Sequence, residues 1–116
     1  MQFWVLCIFF NSKAAIVGYI YAYKYVNKFD LLTQKPNHST LIKDENLDIN
    51  LGKCRLLTLD CDNGTAASGI SGTHNEYYAE VSFEGKAIYM LTFNKNDKDN
   101  STKNQFVEIL KGLKVI

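Results

Sequence analysis

The densest set of side chains able to do chemistry is the run Leu59-Asp60-Cys61-Asp62-Asn63-Gly64-Thr65. Two aspartates closing an apolar stretch suit phosphoryl transfer, in which one carboxylate attacks phosphorus and the other moves protons. Here the threonine is one residue off the required spacing. The roughly 50 residues that follow are too few to supply the parallel strands and metal carboxylates such a site needs. A calcium loop is also excluded, because the glycine falls one place early. The run reads instead as a strand ending in an Asp-Asn-Gly turn.

His38 and His74 both lie in polar stretches, and neither has a cysteine, aspartate or histidine at a supportive helical or hairpin spacing. The expectation is two solvated loop histidines and no metal site. A thiol-base pair of Cys61 with His74 would need the two brought together, and no sequence signal does that. The small-residue run Gly64 to Gly72 lacks the Gly-Lys-Ser/Thr of a phosphate-binding loop and reads as a hairpin connection. Long loops on a rigid scaffold often carry function, so Asp62, Asn63, Ser68 and His74 form the candidate binding loop. No catalytic residue and no cofactor are expected.

The elements that must position these residues belong to one domain, spanning residues 1–116. Apolar residues make up 47% and charged residues 22%, which is globular composition. Lysine plus arginine (13) nearly cancels aspartate plus glutamate (12), which disfavours general nucleic-acid binding. The longest apolar run, Phe3 to Phe10, is too short to cross a membrane as a helix, and no transmembrane segment is expected. The run has no basic flank or small-residue cleavage site, and Cys7 lacks the small residue expected before a lipoprotein cysteine. The three cysteines, Cys7, Cys54 and Cys61, cannot all pair within one chain. Seven strand steps would separate Cys54 from Cys61 by about 23 Å, beyond disulfide reach.

Residues 3–10 read as a strand. Residues 13–29 read as an amphipathic helix, with Ala15, Tyr19, Ala22, Val26 and Phe29 at helical spacing. On such a helix Tyr19, Tyr21, Tyr23 and Tyr25 cannot all face the core, which makes them a candidate interaction surface. Strands are expected from Thr40 and over Cys54 to Asp60. Tyr77, Ala79, Val81 and Phe83 alternate with Tyr78, Glu80, Ser82 and Glu84, and beyond Gly85 Ala87, Tyr89, Leu91 and Phe93 alternate with Lys86, Ile88, Met90 and Thr92, the period-2 pattern of a hairpin. Ile88 and Met90 on the other face imply that its second strand is covered on both sides. Thr102 and Gln105 fit a capping box for a final helix carrying Phe106, Ile109, Leu110 and Leu113, and residues 113–116 read as a closing strand. The expected fold is α+β: a mostly antiparallel sheet with two helices packed on it, in the order β-α-β-β-β-β-α-β.

Three stretches carry a resemblance to a family: Tyr25-Val26-Asn27-Lys28-Phe29 closing the first helix, Leu47 to Lys53 leading into a leucine-rich strand, and the run Tyr77 to Ile116. Together they resemble the Mog/PsbP-like superfamily, which includes bacterial PsbP-like and DcrB-like proteins. The family's opening hairpin is absent, and no functional residue carries over. The expected function is a non-enzymatic binding or assembly module; the resemblance implies the special case of a bacterial cell-envelope accessory protein where an upstream signal has been removed, and the expected location is cytoplasmic otherwise. The alternative is a small hydrolase or thiol enzyme using the 60–75 region. The apolar opening strand and surplus tyrosines point to a protein partner or, as the leading expectation, a homodimer.

Overall fold

The computed structural model describes residues 3–10, 16–24, 29–64, 69, 71–83, 87–94 and 100–113, with backbone alone at 3–10, 16–17, 22–24, 83, 87, 94 and 100–102. The described residues form six strands: β1 (Phe3–Phe10), β2 (Ile16–Lys24), β3 (Ser39–Ile49), β4 (Gly52–Asp62), β5 (Thr73–Phe83) and β6 (Ala87–Asn94). A short 3-10 helix spans Leu31–Gln34, and one α-helix, α1, spans Asn100–Gly112. The strands form one sheet in the order β1-β2-β6-β5-β4-β3, with every ladder antiparallel.

This corrects the expected two-helix α+β architecture. The described part of residues 13–29 is not a helix: Ile16–Lys24 forms β2, inserted between β1 and β6. The fold is mainly β, with a single α-helix among the described residues. The cause is visible in the tyrosines. Tyr19, Tyr21, Tyr23 and Tyr25 recur every second residue, the repeat that places side chains on one face of a strand. The residues between are Ile20, Ala22 and Lys24, with Ile16 and Val17 before them. Such a β-branched and aromatic segment, apolar at nearly every position, fits a strand covered on both faces better than a helix with one wet side. The Ala15-Tyr19-Ala22-Val26 spacing is an incidental by-product of that density. Of the rest, Tyr25, residues 11–15 and the closing strand expected beyond Leu113 fall outside the described residues.

The hairpin expected over Tyr77–Phe93 is present, with Tyr77 opposite Phe93, Ala79 opposite Leu91 and Val81 opposite Tyr89. β6 lies inside the sheet between β2 and β5, which accounts for Ile88 and Met90 being buried behind Leu91 and Phe93. β4 shows the same double burial most fully: Leu56 and Leu57, adjacent in sequence and on opposite faces, are both 0% exposed.

Each face therefore has its own core. On one, Cys54, Leu56, Tyr77, Ala79, Val81, Leu91 and Phe93 pack against Phe106 and Leu110 of α1. Phe106 and Leu110 are four residues apart, so one stripe of the helix meets the sheet. An ion pair of Lys103 Nζ with Glu45 Oε1 (2.6 Å) and a hydrogen bond from Asn50 Nδ2 to Lys111 O (2.9 Å) tie both ends of α1 to the β3 side. On the other face, Leu57, Leu59, Cys61, Ile88 and Met90 are covered by Leu31 of the 3-10 helix, with Phe29 and Leu32 beside it. Asp30 caps this helix by accepting from the Leu32 N–H, and Arg55 holds Asp30 and Asp44 together across the surface.

Candidate functional site

The residues with chemical potential converge at one end of the β4–β5 ladder. Cys61 and His74 are directly opposite each other, and Glu76, two residues along β5 from His74, lies on the same face. Sulfur, imidazole nitrogen and carboxylate oxygen all lie within 4.8 Å of one another. Glu76 Oε2 is 2.7 Å from His74 Nε2, and both side chains are largely buried, at 13% and 14% exposed. Asn63, two residues past Cys61, places Oδ1 2.6 Å from His74 Nδ1. The Asn63 amide is itself oriented, because its Nδ2 donates to Ser71 O at 3.2 Å. With the amide nitrogen so engaged, Oδ1 is the acceptor and His74 Nδ1 the donor.

The turn that follows keeps these residues in place. The backbone N–H of Asn63 donates to Gly72 O at 3.0 Å, and the N–H of Gly64 donates to Asp62 Oδ1 at 2.6 Å. Gly72 has φ +91°, and a Cβ there would come within 3.2 Å of Asn63 Nδ2, so a side chain at 72 would press on the amide that orients His74. Of the candidate binding loop, Asp62, Asn63 and His74 are thus at this end of the ladder, while Ser68 falls outside the described residues.

The expectation that His74 is a solvated loop histidine is corrected: it is a part-buried residue of β5 with both ring nitrogens engaged. His38 is exposed, with a left-handed backbone (φ 58°) in the turn before β3. The signal that would have found the cluster is register. Once the 62–72 connection is read as a hairpin loop, Cys61 falls opposite His74, and period 2 adds Asn63 and Glu76 to the same face.

The electrostatics disfavour a nucleophilic thiol. Burial, followed by the charge of Glu76 and its hydrogen bond with the thiol and the charge of Asp60, pushes Cys61 up to about 12, against a smaller opposing effect of Lys35. A thiol nucleophile needs the reverse surroundings, an electropositive and accessible site. Cys54, on the opposite face, is also free, buried and raised, to about 11, chiefly by burial.

Of the tyrosines of the expected interaction surface, Tyr19, Tyr21 and Tyr23 lie on β2. The rings of Tyr19 and Tyr21 are 5.8 Å apart at 34°. Both residues are half-buried, and Tyr21 packs against the Leu57–Met90 core. Burial, then the neighbouring Tyr19, raises the Tyr21 phenol above its ordinary value. The backbone register continues through Tyr23, opposite Ile88.

No protein-family model, curated protein or solved structure matches this chain. Among the described residues no helix is long and apolar enough to cross a membrane.

Proposed function

We propose that this chain is a non-enzymatic assembly module whose β1 edge is closed by a second copy of itself. The observation that carries this reading is the contrast between the two margins of the sheet. At one margin, β3 carries Lys43, Asp44, Glu45 and Asp48 and a bulge between Leu41 and Lys43, devices that discourage strand addition. At the other, β1 carries Phe3-Trp4-Val5-Leu6-Cys7-Ile8-Phe9-Phe10, without one charged or polar-amide residue. Its ladder with β2 is also irregular, between Val5 and Cys7 and between Phe9 and Phe10, but both alternating sets of its side chains are apolar. Unpaired backbone groups along such a strand favour pairing with another. Antiparallel pairing of two β1 strands about a twofold axis satisfies those groups and runs one sheet through both copies.

An assembly role is favoured over the hydrolase or thiol-enzyme alternative because the cysteine at the β4–β5 end is held as a thiol by its surroundings. Light scattering on the full chain at micromolar concentration tests the reading. The expected mass is that of two chains. Val5→Lys and Ile8→Lys each place a charge on β1 at a position paired with β2, and each is expected to shift the chain towards monomer. Amide-exchange protection over Tyr77–Phe93 should persist in both. A wild-type chain that stays monomeric through the micromolar range overturns the proposal.

A further inference from the structure

We infer that Cys61, His74 and Glu76 form a binding site for one divalent transition-metal ion of the zinc class. The argument begins with ligand type. A thiolate, an imidazole and a carboxylate are the three side-chain donors zinc takes, whereas calcium and magnesium require oxygen-rich sets that a cysteine does not complete. All three come from two adjacent strands inside a hydrogen-bonded ladder, so their backbone positions are fixed without any ion.

The distances fit a site poised to close. Tetrahedral bonds of zinc-site length put ligand atoms about 3.4–3.6 Å apart. The three donor atoms here are within 4.8 Å of one another, with His74 Nε2 and Glu76 Oε2 at 2.7 Å. Closure requires the imidazole–carboxylate contact to open by about 0.7 Å and the sulfur to approach by no more than about 1.4 Å, both within the reach of side-chain torsions.

A second observation points the same way. Histidines that bind metals commonly donate their other ring N–H to an oxygen, which fixes the tautomer and the direction of the free nitrogen. Asn63 Oδ1 does this for His74 Nδ1, and Ser71 O holds the Asn63 amide in that orientation. The arrangement turns Nε2, the nitrogen left to coordinate, towards Glu76 and into the cluster.

Charge also balances. A divalent ion neutralises one thiolate and one carboxylate, while two further charges acting on the thiol, Asp60 and Lys35, oppose each other. Binding displaces two protons to solvent, that of the Cys61 thiol and the one shared between His74 Nε2 and Glu76 Oε2, forms the bonds from sulfur, nitrogen and oxygen to the metal, and leaves a fourth position for water. The ion would clamp β4 to β5 where the ladder opens into the 62–72 connection.

The test is cobalt(II) titration of the full chain, reduced, stripped of metal with a chelating resin and kept anaerobic. One equivalent per chain should give a sulfur-to-cobalt charge-transfer band in the near ultraviolet and the intensified visible bands of tetrahedral cobalt. Zinc(II) should bleach both. Cys61→Ser should abolish the charge-transfer band, and Cys54→Ser should leave it unchanged. Asn63→Ala should keep the spectrum but weaken binding by roughly 10- to 100-fold, the usual effect of losing an orienting partner. His74→Gln gives a second route should Cys61→Ser fail to fold, and it too should lose tetrahedral binding while retaining the wild-type circular dichroism. No charge-transfer band in the wild-type chain, or one that survives Cys61→Ser or disappears with Cys54→Ser, overturns the inference. None of these readouts depends on the oligomeric state, so the β1 proposal and this one stand or fall separately.

Discussion

Truncating Phe106 to alanine should remove a large share of the fold's stability. Phe106 is 0% exposed, and its ring meets Phe93 at a centroid distance of 5.3 Å and Tyr77 at 6.4 Å, both tilted. Burying a phenylalanine side chain contributes about 1.5–3 kcal/mol, and each aromatic pair adds about 0.5–1.5 kcal/mol. The hole left behind adds to the loss only if the structure does not collapse into it. Here collapse is resisted, because the Lys103–Glu45 ion pair and the Asn50–Lys111 hydrogen bond fix α1 near both ends. The expected cost is therefore about 3–5 kcal/mol, the range for large-to-small aromatic substitutions in cores. That is a large fraction of the ~5–15 kcal/mol typical of a domain. Urea unfolding followed by circular dichroism is the assay, with Val107→Ala, at a half-buried neighbouring position, as the control at about 1 kcal/mol. If Phe106→Ala costs no more than Val107→Ala, α1 is not anchored through this ring, and the account of that core is wrong.

The Arg55 guanidinium, through its hydrogen bond, holds the Asp44 carboxyl below its ordinary 3.8, and Lys103 does the same to Glu45. These contributions are complete above the unfolded-state values and are lost as pH falls through the depressed folded ones, so acid should destabilise the fold. Asp44→Asn should flatten that acid limb at a neutral-pH cost well below about 1 kcal/mol after solvent screening, and an acid limb of unchanged slope would contradict this. Glu80 behaves oppositely: burial raises its carboxyl, against a smaller lowering by Arg55. Stability is then lost as pH rises from 4.5 through the folded value, so Glu80→Gln should stabilise the chain at pH 7 in thermal melts and have no effect in acid, whereas destabilisation at pH 7 would show that the Arg55 attraction outweighs burial. Cys54 and Cys61 face opposite cores, so both should react with a thiol reagent in non-reducing denaturant and only slowly in the native chain. A pair that resists modification in denaturant would mean a disulfide and a broken β4.

The sequence was most legible where polar residues interrupt the apolar pattern at a regular period, as Glu80 and Ser82 do on β5 and Lys103, Asn104 and Glu108 on α1. The Tyr77–Phe93 hairpin follows from its alternation, and α1 from the Phe106–Leu110 stripe. β2 was not legible, because Ile16 to Ala22 is apolar on both faces, and a continuous apolar run satisfies strand and helix templates together. The period-2 tyrosines were the deciding clue, and they lose their meaning if a helix is assumed first. The first of the three stretches carrying the Mog/PsbP-like resemblance was read as the end of that helix. The Cys61–His74–Glu76 cluster was hidden for a different reason. Twelve residues lie between Cys61 and His74, and only the register of a long hairpin makes them neighbours. The double ring engagement of His74 depends in addition on the orientation of a single asparagine amide.

The strand order also has a kinetic consequence. β3, β4, β5 and β6 are joined in sequence as successive antiparallel neighbours, and β1 and β2 likewise pair locally. Only the β2–β6 ladder, with Gly18 opposite Phe93 and Lys24 opposite Ala87, joins residues far apart along the chain. Closing that seam carries the largest loop entropy of any pairing in the sheet, while the meander and the β1–β2 hairpin can each form from nearby contacts. The last barrier to the native state is then the docking of two prefolded pieces along one seam. Substitutions at Leu57, deep in the prefolded meander, should chiefly slow folding, whereas those at Ile20, whose partners across the seam are met only as it closes, should chiefly shorten the lifetime of the folded state.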